Sequence, residues 1–208
     1  MGMHSPEAAE RFDAIAREVL APLYPVMAER ILGECGFKEG RCLDLGCGSG
    51  WLGIALARQS DFDVTFLDAS EAMLNIAEAH LKKEALWERS DLLCGNVHTI
   101  PLPDCSVDLA VSRGSFPFWE EPEHAAREIF RVLKPGGHAF VGGGFGNAAI
   151  RKEVFGKMRE RDPQWQERIK HHGVPGAMNR LVEGVMALEA SEICITRDER
   201  GFMARFVR

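Results

Sequence analysis

A glycine-rich run that follows a short apolar stretch is the part of this sequence most able to do chemistry. Residues 43–50 read LDLGCGSG, so the carboxylate of Asp44 stands two residues before Gly46. Glycines directly after a buried strand let the backbone turn tightly and approach a ligand closely. A carboxylate at the end of that strand would attract an ammonium or a sulfonium and repel a pyrophosphate. The run therefore predicts a loop that binds a positively charged ligand.

The same loop also permits a second interpretation, a dinucleotide site. Gly48, Gly50 and Gly53 match the pattern G-x-G-x-x-G, and Asp68 follows at about the spacing of a carboxylate that binds a ribose. An NAD-dependent oxidoreductase is therefore a competing prediction. Two features count against it, because the glycine run begins earlier than the pattern requires and Asp44 would face the diphosphate.

The elements that would hold this loop alternate between strands and helices. Strand–helix–strand spacing of this kind gives right-handed crossovers and a parallel sheet. The segments at the two ends of the chain differ, with two helices broken near Pro22 and Pro25 at the start and an antiparallel edge hairpin at the end. The predicted strands are 41–45, 63–67, 91–94, 107–112, 138–141, 193–196 and 202–207, and the predicted helices after the first two are 51–58, 70–87, 123–133, 147–170 and 177–189.

Taken in order, these segments resemble the class I S-adenosylmethionine (SAM)-dependent methyltransferases of the methyltransferase-domain-11 type. Residues 44–50 are similar to the first motif of that family, D/E-x-G-x-G-x-G, and residues 64–70 are similar to the second. Asn96 stands where the family usually has Asp, and its amide can still meet the adenine edge. The later matches are residues 95–103 for the adenine segment, 108–112 for the fourth strand and 131–137 for the R-x-L-K-P-G-G turn.

The resemblance covers residues 41–141 and implies the whole architecture. It implies a Rossmann-like seven-stranded, mostly parallel sheet of order 3-2-1-4-5-7-6, with helices on both faces and an antiparallel edge hairpin. Residues 1–208 would form one domain, with residues 1–36 as a helical cap and 41–208 as the core. Further similarity at residues 112–115, 119–120 and 142–147 points to one branch of small methyltransferases.

The resemblance also implies roles for the residues that would hold SAM. Asp44 would contact its amino group, Asp68 its ribose hydroxyls, and the Ser112 carbonyl its methionine ammonium. Gly46 and Gly48 would contact the methionine part through their backbone. For Asn96 the alternative is a loop residue that hydrogen-bonds its own backbone. The remaining implied cofactor contacts are Cys47, Ala69, Met73, Asn96 and Val97.

Candidates for the acceptor side follow the fourth and fifth predicted strands, because ligands bind outside the carboxyl ends of strands in open α/β sheets. Residues 115–119 either wall an acceptor pocket or pack under the next helix. The glycines at 142–144 either allow a ligand or another chain segment to approach closely or form a flexible corner. Arg113 either binds an anionic acceptor or forms a structural salt bridge. The predicted acceptor-side residues are Tyr24, which would close over the cofactor, Arg113, Ser115, Phe118, Trp119 and Gly143.

Composition and charge limit the classes of binding partner that we expect. The chain has 208 residues and a net charge of -6, and its most basic stretch, residues 151–170, also carries acidic residues, so we expect no nucleic-acid partner. It has no apolar run long enough for a membrane span, and its polar start predicts no signal peptide and a cytoplasmic location. The six cysteines form no C-x-x-C pair, so we expect reduced, mostly buried thiols and no metal site. The sequence does not determine the oligomeric state.

Methyl transfer from a sulfonium is an in-line displacement, so the protein mainly aligns the acceptor and excludes water. A general base is needed only if the acceptor arrives protonated, and the sequence assigns no catalytic residue. We predict methyl transfer from SAM to a small molecule. The alternatives are a protein side chain as acceptor, an NAD(P)-dependent oxidoreductase, and a SAM-binding protein without catalysis.

Overall fold

One seven-stranded sheet organises the computed structural model, which describes residues 5–165, 167 and 173–208. The strand order is β3-β2-β1-β4-β5-β7-β6. The first five strands pair in parallel, and β7 runs antiparallel to both β5 and β6. The predicted order and the edge hairpin are confirmed. The strands are β1 Glu39–Leu45, β2 Asp61–Asp68, β3 Ser90–Cys94, β4 Val107–Arg113, β5 Leu133–Gly142, β6 Glu192–Asp198 and β7 Gly201–Val207.

Helices cover both faces of the sheet, because its central strands are apolar on both sides. On one face, residues of α2, α3 and α6 pack with Phe62, Phe66 and Phe140 of the sheet. On the other, α5 and α7 pack against Leu45 and Phe206. No helix within the described residues is long and apolar enough to cross a membrane. The helices are α1 Pro6–Ile15, α2 Leu23–Cys35, α3 Trp51–Arg58, α4 Glu71–Lys83, α5 Pro122–Val132, α6 Ala148–Arg161 and α7 Ala177–Met186.

The segment before the sheet forms the two predicted helices, joined by a π-helical stretch. Ser5 caps α1, since its hydroxyl accepts the Ala8 N–H at 3.2 Å. The π-helical residues are Ala16–Leu20, and α2 starts just after Pro22. Pro25 lies in the first turn of α2, where a missing N–H breaks no helical hydrogen bond. The predicted break near the prolines is thus confirmed.

The predicted end of one helix and the predicted start of one strand are wrong. The helix α4 ends at Lys83 instead of 87, because Ala85 adopts a left-handed φ of 55° and cannot continue it. The strand β5 starts at Leu133 instead of 138, because it pairs on both sides of the Pro-Gly-Gly turn. Leu133 pairs with Val107 and His138 pairs with Leu109, so the residues between them form a bulge in β5.

The predicted helix 147–170 is shorter in the structure. Asn147 caps α6 by accepting the Ile150 N–H at 2.9 Å, and the helix ends at Arg161. The residue before a proline avoids helical geometry, so Asp162 and Pro163 explain this end. Residues 166 and 168–170 lie outside the described part of the chain. The thiols also depart from expectation, since Cys94 and Cys105 are exposed.

Candidate functional site

The glycine loop joins β1 to α3 at the point where the sheet order reverses between β1 and β4, which is where open α/β sheets bind ligands. Gly46, Gly48 and Gly50 all adopt left-handed φ values, of 63°, 54° and 87°. A Cβ on Gly46 would lie 2.4 Å from the Ser115 Cβ, and one on Gly48 would lie 3.3 Å from the Phe12 ring. The loop is therefore enclosed by the chain on two sides, and larger residues would not fit at its first turn.

Asp44 lies beneath this loop and is 2% exposed. Its Oδ2 accepts the backbone N–H of Gly53, in the first turn of α3, at 2.9 Å. The pKa of the Asp44 carboxyl is raised to about 7, mainly because the group is buried; the Gly53 hydrogen bond lowers the pKa and the charge of Asp68 raises it, and the value includes both effects. The predicted contact between Asp44 and a ligand ammonium stays a prediction. An ionised Asp44 would nevertheless gain from a cation placed nearby.

Asp68, at the end of β2, is bound to the same loop. Its Oδ2 accepts the Gly48 N–H at 2.8 Å, and its Oδ1 accepts the Ser70 N–H at 2.9 Å. Each carboxylate oxygen has two lone pairs and can accept more than one hydrogen bond, which is the chemistry that ribose hydroxyls require. The structure thus brings Asp44, Gly46, Gly48 and Asp68 to one edge of the sheet. Of the two neighbours predicted beside the adenine, Ala69 is exposed and Met73 is buried.

The segment predicted beside the adenine is held against β2. The Gly95 N–H donates to the Asp68 carbonyl at 3.0 Å, and Val97 is buried. Asn96 is exposed, and its Oδ1 accepts the His98 N–H at 2.9 Å. The Asn96 side chain therefore bonds its own loop, as the second interpretation predicted, and an adenine contact stays a prediction.

Two serines connect the end of β4 to the glycine loop. Ser112 is buried, and its Oγ lies 2.6 Å from the Ser115 Oγ. Ser115 Oγ also donates to the Leu45 carbonyl at 3.1 Å. Ser115, predicted as an acceptor-side residue, thus bridges β1 and β4 next to Gly46. On the neighbouring strand end, Cys47 donates its N–H to the Leu67 carbonyl at 3.0 Å, which ties the loop to β2.

The aromatic run after β4 does not form a continuous wall. Phe116 and Trp119 are buried in the core that α5 and α7 share, whereas Phe118 is 48% exposed. This matches the interpretation in which the run packs under the next helix, and it separates Phe118 from Trp119. The acceptor-side roles predicted for Phe118 and Trp119 stay predictions.

The glycines that end β5 allow another chain segment to approach. A Cβ on Gly142 would lie 2.3 Å from the Phe202 carbonyl oxygen, and the Gly143 N–H donates to that oxygen at 3.0 Å. Of the interpretations offered for this run, approach by another segment, here β7, is the one the structure supports.

Tyr24 lies on α2 and Arg113 ends β4, and the two are close enough for their charges to interact. Tyr24 is 7% exposed, and its pKa is raised to about 12, mainly because the phenol is buried. The charge of Arg113 lowers this pKa, and the charges of Asp44 and Asp13 raise it. The Arg113 guanidinium lies 5.7 Å from the centre of the Phe145 ring. It forms no ion pair with any residue that the structure describes, so the predicted structural salt bridge is absent there.

Sequence reasoning missed the residues that fix α1 over the glycine loop. Asp13 is buried, and it accepts hydrogen bonds from Trp51 Nε1 at 3.1 Å and Arg17 Nε at 2.8 Å. His80 of α4 lies 3.6 Å from the same carboxylate, and its ring centre lies 4.5 Å from that of Trp51. The signal was an acidic residue on the apolar side of a predicted helix, which requires a buried partner.

A protein from Methanococcus maripaludis, described as an S-adenosyl-L-methionine-dependent methyltransferase, has a crystal structure that matches this fold throughout. The two chains are 36% identical with a TM-score of 0.91, and the match covers 99% of this chain and 94% of that one. This chain belongs to the class I SAM-dependent methyltransferases. The cofactor of this family is SAM, which carries the positive charge that we predicted for the ligand of the glycine loop. The alternative prediction, an NAD-dependent oxidoreductase, therefore loses its support.

Other relatives agree with this assignment over the core of the methyltransferase. A family model described as a methyltransferase domain matches residues 43–141. The 24-methylenesterol C-methyltransferase 2 of Oryza sativa subsp. japonica is 37% identical over 113 residues, or 54% of this chain, which spans 31% of that protein's length. The methyltransferase YdaC of Bacillus subtilis is 29% identical over 129 residues, 61% of this chain and 69% of that protein.

The residues present fit SAM. The sulfonium and ammonium of SAM are cationic, and Asp44 places a carboxylate beneath the loop whose ionisation a nearby cation would favour. The left-handed glycines leave room where a side chain would otherwise stand, and Asp68 offers hydrogen-bond acceptors at the next strand end. The methionine part would lie against Gly46 and Gly48, and the ribose would lie against Asp68.

Proposed function

We propose that this methyltransferase transfers the methyl group of SAM to a small-molecule acceptor bound at the carboxyl ends of β4 and β5. The observation that carries this proposal is the position of the two N-terminal helices: a Cβ on Gly48 would lie 3.3 Å from the Phe12 ring of α1, and a Cβ on Gly146, after β5, would lie 2.8 Å from the Val26 side chain of α2. Helices α1 and α2 thus lie over the glycine loop and its acceptor side. A folded macromolecular surface would not reach that region, whereas a small molecule would.

Methyl transfer from SAM requires little of the protein beyond the alignment of acceptor and cofactor. SAM supplies an activated methyl group: a bond forms between the acceptor atom and the methyl carbon while the carbon–sulfur bond breaks, and the electron pair stays on sulfur. The protein's part is to fix the methionine and ribose through the loop and Asp68, and to exclude water from the acceptor side. Phe12 covers the loop at Gly48, which serves the second purpose.

Several relatives support a small acceptor. The names of similar proteins include a 27-O-demethylrifamycin SV methyltransferase from Amycolatopsis mediterranei, at 30% identity over 117 residues, and a squalene methyltransferase from Botryococcus braunii, at 36% over 97 residues. Both names denote small-molecule acceptors for those proteins. The chain spans 43% and 26% of their lengths, so the acceptor itself does not transfer from them.

A labelling experiment tests the proposal. The protein is first titrated with S-adenosylhomocysteine (SAH) by calorimetry, and binding is expected. It is then incubated with methyl-labelled SAM and a cell extract that has been divided by ultrafiltration into small molecules and macromolecules. We expect label in a product of the small-molecule fraction, and none with a Gly46→Val variant as control. Label found only on protein would overturn the small-molecule proposal and favour a protein side chain.

A further inference from the structure

Arg113 is a half-buried cation for which the described part of the chain supplies no hydrogen-bond or ion-pair partner. Its Nε has no hydrogen-bond partner in this structure, although it is not accessible to solvent. Buried polar groups are nearly always hydrogen-bonded, and a buried unpaired charge is costly. Burial accordingly lowers the pKa of the Arg113 guanidinium, which the nearby Tyr24 phenol partly counteracts. The packing of the fold therefore does not by itself explain why an arginine occupies this position.

Three other half-buried arginines of this chain have hydrogen-bond partners. Arg131 pairs with Glu128 and Asp104, each at 2.7 Å. Arg89 donates to the carbonyls of residues 57 and 60 at 3.0 and 3.1 Å, and Arg208 donates to those of residues 130, 131 and 133 at 2.6 to 2.9 Å. Arg113 has neither kind of partner, and it stands directly after Ser112 at the edge where the acceptor would bind.

Aromatic rings extend outward from the Arg113 guanidinium. The Phe145 ring lies 5.7 Å from it, the Phe145 and Phe155 ring centres are 5.5 Å apart, and those of Phe155 and Trp165 are 5.2 Å apart. Edge-to-face contact is a geometry that aromatic pairs prefer, and the half-buried Phe145 and Phe155 side chains keep part of their apolar surface accessible. We call Phe145, Phe155 and Trp165 the aromatic strip.

A second cation lies at the middle ring of the aromatic strip. The Arg151 guanidinium lies 5.0 Å from the centre of the Phe155 ring, and an open cleft of about 360 Å³ is lined by Ala148, Arg151, Lys152 and Phe155. Neither Arg151 nor Lys152 forms an ion pair with a residue in the described ranges. In a protein of net charge -6, unpaired cations along one strip of aromatic rings favour a ligand that is both anionic and apolar.

We infer that the methyl acceptor is an organic carboxylate, whose carboxylate group pairs with the Arg113 guanidinium and whose apolar part lies on Phe145 and Phe155. The inference rests on the proposed function and specifies its acceptor. A guanidinium presents a rigid fork of donors that matches a carboxylate, and such a pair satisfies the buried Nε. Arg151 and Lys152 would attract the anion to the mouth of the cleft.

Benzoate and its uncharged counterpart benzamide test this assignment without knowledge of the natural acceptor. Each is titrated into SAH-saturated protein, and binding is followed by ligand-observed NMR. We expect benzoate to bind at least about tenfold more tightly than benzamide, as for a charge-assisted hydrogen-bonded pair. Arg113→Met should abolish that difference, and Arg113→Lys should retain part of it. The control Arg41→Met, at the opposite edge of the sheet, should retain all of it.

The methionine carboxylate of the cofactor is the competing anion, and SAH binding distinguishes the two. If Arg113 binds the acceptor, Arg113→Met should bind SAH within about twofold of the unaltered protein, because no charge pair with the cofactor is lost. Three results would overturn the inference: a loss of SAH affinity that is absent for methylthioadenosine, which lacks the carboxylate; equal binding of benzoate and benzamide; or no binding of benzoate. Failure of the unaltered protein to bind SAH would instead refute the proposed function.

Discussion

The two halves of the site differ in the charge of their side chains. The cofactor half lies at the ends of β1 and β2, and the acceptor half lies at the ends of β4 and β5. In the cofactor half, two carboxylates accept backbone N–H groups, Asp44 from Gly53 and Asp68 from Gly48. In the acceptor half, unpaired cations lie against aromatic rings. The first half uses residues that are close in sequence, and the second uses side chains from separate segments. Charge thus separates the two substrates of one reaction, a cation and the inferred anion.

The largest effect should come from the contact that joins the two halves. A Gly46→Ala Cβ would overlap Ser115 on the acceptor side, so we expect SAH affinity to fall more than about a hundredfold in calorimetry. Gly36→Ala is the control, because Gly36 has a similar φ of 81° and no atom within 4 Å of the added Cβ. Adding Ser115→Gly to Gly46→Ala should restore part of the affinity. Equal behaviour of the two alanine variants would argue against this close fit.

Asp44→Asn should weaken SAH binding by about ten- to a hundredfold at neutral pH, since a charged hydrogen-bonding partner is lost. The pKa of Asp44 is about 7 in the folded chain against 3.8 ordinarily, so the folded state binds the proton more tightly. Its ionisation therefore costs stability as pH rises from about 4 to about 7. Over this range, cofactor affinity should rise with pH while the free energy of unfolding without ligand falls.

Both pH trends should disappear in Asp44→Asn, as measured by calorimetry and urea unfolding at a series of pH values. The control Asp61→Asn changes an exposed residue at the far end of β2 and should keep both trends. Persistence of the trends in Asp44→Asn would assign them to another group and contradict the proposed role of the buried carboxylate.

Asp13→Asn should reduce SAH affinity by up to about tenfold, because it weakens the hydrogen bond from Trp51 that holds α1 over the cofactor half. The effect should appear mainly as faster dissociation in stopped-flow fluorescence, with Trp51 as the reporter. Arg17→Met is the matched control, since the Arg17 side chain is 51% exposed and an exposed pair contributes little. An unchanged rate of SAH dissociation in Asp13→Asn would show that this contact does not hold α1 over the cofactor half.

The smallest effect should come from the edge of the cofactor half. Asn96 is exposed and bonds its own loop, so Asn96→Ala should weaken SAH binding by only about threefold, the value of one neutral hydrogen bond. Calorimetry alongside the Asp44→Asn variant gives the comparison. A loss as large as that of Asp44→Asn would place the Asn96 side chain on the adenine.

The difference between the halves also explains what the sequence could predict. The strand order and the edge hairpin were predicted correctly, and the glycine loop and Asp68 lie together because both follow adjacent strands. The aromatic strip was missed because Phe145, Phe155 and Trp165 carry no common motif and meet only through tertiary packing. The burial of Trp119 could not be predicted for the same reason, since only α5 and α7 show that it is covered.

The π-helical stretch at Ala16–Leu20 bears on how the reaction ends. Its wider hydrogen-bond spacing interrupts the helical segment between α1, fastened by Asp13, and α2, packed in the core. Opening for departure of the spent cofactor can then be confined to about ten residues of α1, while the sheet and α2 stay as they are. Turnover would in that case be paced by this small movement, so a change far from the transferred methyl could alter the rate without altering the chemical step.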